Sequence, residues 1–421
     1  MAQQIQPKTS KIIKLINQGT FGCVFRPGLK CGTKTIDSDQ YITKVQVDSA
    51  EVNRETELGK IITKIPKYQY RFAPIIESCP IDVSTIGSTE IKKCEVITNS
   101  TDEKTRARFV SNRIKYAGKD TLGDYLGNLL TTSNHSLMSK NVGAYFTKII
   151  DSHIYLLQSL QLLVNQSIVH YDLKENNIMY DDINQTPIII DFGLSFQINK
   201  LTEANYADAF YTLYAQYSCW CIEINLLCYI TKRIYKNKTE SPKSLIKKAA
   251  IDEIKEHISS YLMENEGVKQ FITEKEKELF KIKIVKFVNS FHQKTWKQFM
   301  DALINTHKTW DNYALSVIMI RELSYSDIIN QNPNISFIKE YLSILKAVIL
   351  APPTQRQEIS ITMGAIKTVF AKINKMEYTL FKNQTGRYLK HHDSIQKIKK
   401  IRTEASLSQL LEDKEIKNRK K

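Results

Sequence analysis

The chain has 421 residues, is 42% hydrophobic and 25% charged, and carries a formal net charge of +16. That composition belongs to a folded protein with length for a large core, and it excludes a disordered or fibrous chain. The longest apolar run, around residues 222–230, is interrupted by Glu223 and Asn225 and is too short to cross a bilayer, and residues 1–8 lack the apolar stretch of a secretory leader, so a soluble cytoplasmic protein with no transmembrane segment is expected.

Residues 11–24 read as a strand that enters a glycine turn and leaves as a second strand. Gly19 and Gly22 let a backbone come close to phosphates, although a plain hairpin turn explains them equally well; Phe21 falls at the tip. Tyr41–Val45 alternates as a strand and carries Lys44, which on an edge strand could be a surface charge. Over 50–65, Leu58, Ile61, Ile62 and Ile65 recur at helical spacing, and Glu55 and Glu57 are the carboxylates that helix offers. Phe72–Ile76 reads as the next strand, residues 78–108 as an inserted polar hairpin or loop, and Phe109–Asp120 as a strand running into a hinge. A long amphipathic helix is expected over 141–163.

Two segments then carry chemistry. Residues 168–178 read Ile-Val-His-Tyr-Asp-Leu-Lys-Glu-Asn-Asn-Ile, and residues 188–193 form a short apolar strand ending in Asp-Phe-Gly. Phosphoryl transfer from ATP needs a carboxylate near the accepting hydroxyl, a cation near the γ-phosphate and oxygen ligands for Mg²⁺. Asp172, Lys174, Asn177 and Asp191 supply those groups at the spacing protein kinases use. A segment rich in Tyr and Thr follows and ends at Trp220-Cys221-Ile222-Glu223. The seven cysteines contain no paired Cys-x-x-Cys frame, so buried free thiols in a reducing compartment are expected, rather than a zinc site. Residues 231–308 hold 17 Lys/Arg against 10 Asp/Glu, with Ile, Leu and Phe at helical spacing. Residues 382–421 hold 12 against 5, so these two segments carry 14 of the 16 surplus charges. They suit acidic protein, nucleic acid or anionic lipid, and a solvated lysine-rich helical surface explains them as well.

The order of these motifs resembles the eukaryotic-type serine/threonine protein kinases, in a divergent branch like those of large nucleocytoplasmic DNA viruses. The resemblance covers roughly residues 10–230 and 305–380. It implies an α+β, bilobal kinase-like fold: an N-lobe over 1–117, with an antiparallel sheet, a helix and the polar insertion, and a mainly helical C-lobe over 118–381 containing the basic helical insertion. Residues 382–421 would be a basic tail, a helix or partly ordered. The implied activity is transfer of the ATP γ-phosphoryl group to a protein Ser/Thr hydroxyl. Asp172 would be the base, Lys174 would offset phosphoryl charge, and Asn177 and Asp191 would hold Mg²⁺. Asn17 stands where the family has its first glycine, ahead of Gly19 and Gly22. Val24 and Ile42 would cover the adenine, the backbone of Lys115 to Ala117 would meet its edge after a gatekeeper Ile114, and Lys44 would hold the α- and β-phosphates. Glu57 is preferred over Glu55 as the partner of Lys44, because Leu58, Ile61 and Ile65 then follow it as in the family's helix C. Asp311 would hold the loop backbone around residue 170, and Glu223 would pair with Arg356.

Two alternatives stand beside this reading. One is a pseudokinase-like binding scaffold, which would lack one of the chemical groups, and none is missing. The other is a small-molecule kinase of related fold, which would lack the Trp310-Asp311 segment and the Glu–Arg pair. Tyr171 occupies the position of an Arg that binds an activation-segment phosphate in many regulated members, so phosphorylation of Tyr206, Tyr211 or Thr212 is not expected to be needed. The basic segments would guide acidic partners; nucleic-acid binding has no motif to support it.

Overall fold

The computed structural model describes residues 13–19, 22–31, 38–100, 108–131 and 138–420. Phe21, expected at the turn tip, lies outside them. The fold is α+β, with an antiparallel sheet in the N-terminal region and a helical C-terminal part. The chain divides into two compact units, one made of residues up to Ala117 together with Ile190–Gly193, the other of the remainder.

The first unit is built on five strands: β1 (Lys14–Gly19), β2 (Gly22–Arg26), β3 (Tyr41–Val47), β4 (Ile75–Ile81) and β5 (Phe109–Lys115). They run antiparallel in the order β1-β2-β3-β5-β4. Alternation sets the two faces. Cys23, Phe25, Thr43 and Val45 point to one side and are fully buried, while Val24, Ile42 and Lys44 share the other. Helix α1 (Ala50–Ile62) starts at Ser49, whose hydroxyl accepts the Val52 N–H, and buries Val52, Glu55, Leu58, Gly59 and Ile62. Gly59 is dictated by contact: a Cβ there would lie 2.0 Å from the Ile75 carbonyl oxygen of β4.

Residues 82–100 are not the polar hairpin or loop the sequence suggests. They fold into short helical turns whose Ile86, Cys94 and Ile97 join the core of Cys23, Phe25, Val45 and Phe109. The Leu15 N–H donates to Glu90 at 2.7 Å and the Glu95 N–H to the Gln18 side chain at 2.8 Å, tying this segment to β1. The free-thiol expectation is also corrected. Cys23 is joined to Cys94 and Cys31 to Cys79, leaving Cys219, Cys221 and Cys228 as free, buried thiols. Partners 71 and 48 residues apart leave no local spacing signal. The argument for a reducing compartment falls with that expectation.

The second unit is mostly helical: α2 (Leu122–Thr131), α3 (Met138–Asn165), α4 (Ile222–Thr231), α5 (Lys248–Glu264), α6 (Glu274–Asn289), α7 (Trp296–Ile304), α8 (Trp310–Tyr325), α9 (Ser336–Ile349), α10 (Ile359–Ala371), α11 (Lys375–Leu389) and α12 (His392–Lys420). Helix α8 is its centre, with every residue from Trp310 to Leu323 buried. Helices α5 to α7 occupy the basic 231–308 segment and bury Ile254, Ile258, Phe280, Ile284 and Phe299. The tail boundary expected at 382 cuts through α11, which buries Phe381 and Leu389, and α12 buries Ile395 and Ile398. No helix among the described residues is long and apolar enough to cross a membrane.

Candidate active site

In the first unit the chemistry gathers around Lys44. The β3 register puts Lys44 opposite Val24 on β2 and Asn112 on β5, and Ile42 opposite Ile114. Its ammonium lies 3.0 Å from Asp191 Oδ1 and 3.6 Å from Glu55 Oε1. Burial works against the Lys44 charge, but the Asp191 and Glu55 carboxylates outweigh it and hold the pKa above the usual lysine value. Burial pushes the Glu55 carboxyl up, with Lys44 pulling the other way.

Glu57 is not the partner of Lys44. It is exposed and pairs with Lys60 at 2.6 Å. The reason is helical geometry: Glu55 lies three residues before Leu58 and seven before Ile62, on the buried face, whereas Glu57 falls about 100° off Leu58.

Asp191 has a positive φ of 59°, and Phe192 beside it is buried, edge-on to Phe72 at 6.3 Å between ring centres. The Asn17 side chain accepts the Gln18 N–H at 2.8 Å, and Gly19 pairs with Gly22. The absence of a side chain at Gly22 has a structural cause, since a Cβ would sit 2.5 Å from the Val45 carbonyl oxygen. Lys115 donates to the Gln69 carbonyl at 3.1 Å, Tyr116 N–H to that of Gln40 at 2.9 Å, and Ala117 is buried.

In the second unit, residues 170–177 form a loop, ending in a 3-10 turn over Glu175–Asn177, that is held from beneath. The buried Asp311 on α8 accepts the His170 N–H at 2.8 Å and the Tyr171 N–H at 3.1 Å. Burial nevertheless raises the Asp311 pKa above the usual value, with the two N–H groups opposing it. The Tyr171 carbonyl accepts the Trp220 indole N–H at 2.9 Å, and Ser195 donates to the His170 carbonyl at 2.9 Å. Tyr171 has φ of 69°, a left-handed conformation that costs a bulky residue on the order of 1 kcal/mol or more. The four hydrogen bonds around it hold that conformation in place.

This support presents Asp172. Its Oδ2 accepts from Lys174 Nζ at 3.2 Å and from Asn177 Nδ2 at 3.0 Å. Asn177 Nδ2 also donates to the Asp172 carbonyl at 2.8 Å, which directs the amide oxygen the other way. The Tyr217 hydroxyl donates to Asp172 Oδ1 and lies 3.4 Å from Lys174 Nζ. Asp172, Lys174 and Asn177 are all buried. Glu223, at the start of α4, forms a fully buried ion pair with Arg356 at 2.5 Å, and Arg356 also donates to the Val348 and Ala351 carbonyls.

Tyr217 and Trp220 are functional candidates that sequence reasoning missed. Both stand in the aromatic segment before α4, but nothing in their spacing announces which ring reaches the loop. Among the described residues no group of three or more His, Cys, Asp or Glu side chains is placed to hold a metal ion. Asp191 in the first unit and Asn177 in the second each carry an oxygen, the donor type Mg²⁺ prefers. Compared with known proteins, the sequence matches no family model, and no curated protein matches it.

Proposed function

We propose that the protein is an ATP- and Mg²⁺-dependent serine/threonine protein kinase with a kinase-like bilobal fold. The observation that carries the reading is the contact of Lys44 with both Glu55 and Asp191, the latter 147 residues away in sequence. A strand lysine ion-paired with a helix carboxylate, beside the Asp of an Asp-Phe-Gly, is the arrangement that kinase chemistry uses on the nucleotide side. The loop residues supply what is needed on the acceptor side. Asp172 orients the acceptor hydroxyl and takes its proton, while Lys174, held against the same carboxylate, offsets charge on the phosphoryl group. Asn177 and Asp191 are the residues that would hold Mg²⁺, which when bound neutralises charge on the β- and γ-phosphates. Lys44 would bind phosphate oxygens, with Glu55 keeping its ammonium in place.

The test is phosphate transfer from ATP to a mixture of acidic, basic and neutral Ser/Thr peptides. Asp172→Asn should abolish transfer and leave ATP binding intact, because it removes the base and keeps the side-chain shape. Wild-type rates in that variant would sink the assignment.

A further inference from the structure

The basic insertion is not simply appended to the second unit. At its α5 end it grips residues 215–220, the segment that carries Tyr217 to Asp172. Those residues form turns without helix or strand pairing; the Trp220 N–H donates to the Tyr217 carbonyl at 3.2 Å, and the remaining carbonyl valences must find partners elsewhere. The insertion supplies them. Asn265 Nδ2 donates to the carbonyls of Tyr217 at 2.8 Å, Ala215 at 3.0 Å and, more weakly, Trp220 at 3.4 Å. The Glu266 N–H donates to the Gln216 carbonyl at 3.2 Å. The Tyr261 hydroxyl donates to the Trp220 carbonyl at 3.2 Å, and the Gln216 side chain donates to Glu264 at 2.5 Å. Gly267 packs so close that a Cβ would lie 2.9 Å from the Ser218 carbonyl oxygen. Asn265 itself is fully buried, and its oxygen accepts the Gly267 N–H at 3.0 Å and the Tyr313 hydroxyl at 3.2 Å.

We infer that the insertion is a permanent splint for this segment and that Asn265 is a positioning residue acting on Asp172 through Tyr217. The splint does by packing what a phosphate–arginine contact does elsewhere, ordering a loop through charge-assisted hydrogen bonds. With Tyr171 unable to offer a cation, the segment is held without covalent modification. The kinetic part of this inference rests on the kinase reading; the structural part does not.

Two substitutions isolate the grip. Asn265→Asp keeps the oxygen that caps the Gly267 N–H, since Asp caps as well as Asn, but removes the amide donor to the three carbonyls. Glu266→Pro removes the N–H bonded to Gln216 together with a carboxylate that accepts from Lys269 and Gln270, and Glu266→Ala, which loses the carboxylate alone, is its control. Proline is well tolerated at the first position of a helix, and Asn265, at φ −65° and ψ 117°, already has the extended backbone that must precede it. Hydrogen exchange of the full-length protein should show amides 214–222 exchanging at least about ten-fold faster in Asn265→Asp, because three carbonyls lose their donor and face a buried carboxylate oxygen instead. In the same variant kcat for a neutral peptide should fall about ten-fold with the KM for ATP unchanged. Glu266→Pro should move both readouts in the same direction. Unchanged exchange at 214–222 in both variants overturns the splint, and faster exchange with unchanged kcat overturns the positioning role. Phosphatase treatment should leave the wild-type rate within about two-fold, and a ten-fold loss restored by autophosphorylation would overturn the claim that packing replaces phosphate. A wild-type protein that transfers no phosphate defeats the kinase reading alone, because the exchange measurement still judges the splint.

Discussion

Asp311 shows how much a single carboxylate can govern. Both of its oxygens are spent on the N–H groups of His170 and Tyr171, and no other described group takes their place. Removing a buried acceptor leaves its donors unsatisfied at about 1–3 kcal/mol each. Asp311→Ala should therefore lower unfolding free energy by about 2–5 kcal/mol in urea titration, allowing for partial relaxation. Asp311→Asn, which keeps one acceptor oxygen, should cost about half as much. Glu55 gives the matching test in the first unit. Glu55→Gln should weaken ATP binding and phosphotransfer, while Glu57→Gln should leave both near wild type; equal effects would show that the Lys44 pairing does not matter. Glu55 was in fact legible beforehand, because strict helical periodicity puts it on the face of Leu58 and Ile62. Resemblance to the family's helix C favours Glu57, but the 100° step per residue carries that side chain off the buried face. Tyr217 was not legible, since its role depends on a turn held by residues near 265.

At the scale of elements, the ends of the segment before α4 are fixed in different ways. The Glu223–Arg356 pair closes one end and is almost wholly removed from water. Breaking such a pair from one side typically costs about 3–5 kcal/mol, because the remaining charge is buried alone. Arg356→Met should thus lower the thermal midpoint markedly, and Glu223→Gln with Arg356→Met should recover part of the loss. Helix α12 is tied into the second unit near the catalytic loop. Arg402 donates to Glu322 at 2.6 Å and to the Gly123 carbonyl at 2.8 Å, and Gln409 donates to Glu175, next to Lys174. Deleting residues 390–421 should therefore slow transfer to a short neutral peptide, and not only to an acidic substrate. A truncated protein with a normal rate on the neutral peptide would show α12 to be a separable tail. The helices and the apolar face each one buries were readable from periodicity; which element each face packs against was not, because periodicity carries no information about partners distant in sequence.

For the whole molecule, the two units differ in redox chemistry. Both disulfides belong to the first unit, and the free thiols to the second. All three tryptophans, Trp220, Trp296 and Trp310, also lie in the second unit. Removing a native disulfide commonly costs about 2–5 kcal/mol. In reductant, unfolding followed by circular dichroism should gain an early phase, while the tryptophan fluorescence transition stays where it was. Coincident shifts of both signals would mean that the units unfold as one. The disulfides were invisible in the sequence, since cysteine spacing does not encode pairing across folded segments. The charge asymmetry was visible from the start. If it guides acidic substrates, their apparent KM should rise steeply with salt, because the Debye length is only about 8 Å at physiological ionic strength.

The close approach at Gly59 reaches further than local packing. With a would-be Cβ only 2.0 Å from the Ile75 carbonyl oxygen, no side chain fits, and a saturation library at this position should return glycine alone among active clones. The same closeness means that α1 meets β4 backbone to backbone at this point, with no side chain between them there to re-pack if the helix slid or rolled. Lys44 and Glu55 thus belong to one rigid frame, a fixture rather than a switch. An inhibitor or partner that works by prising this helix away would have little to pull against.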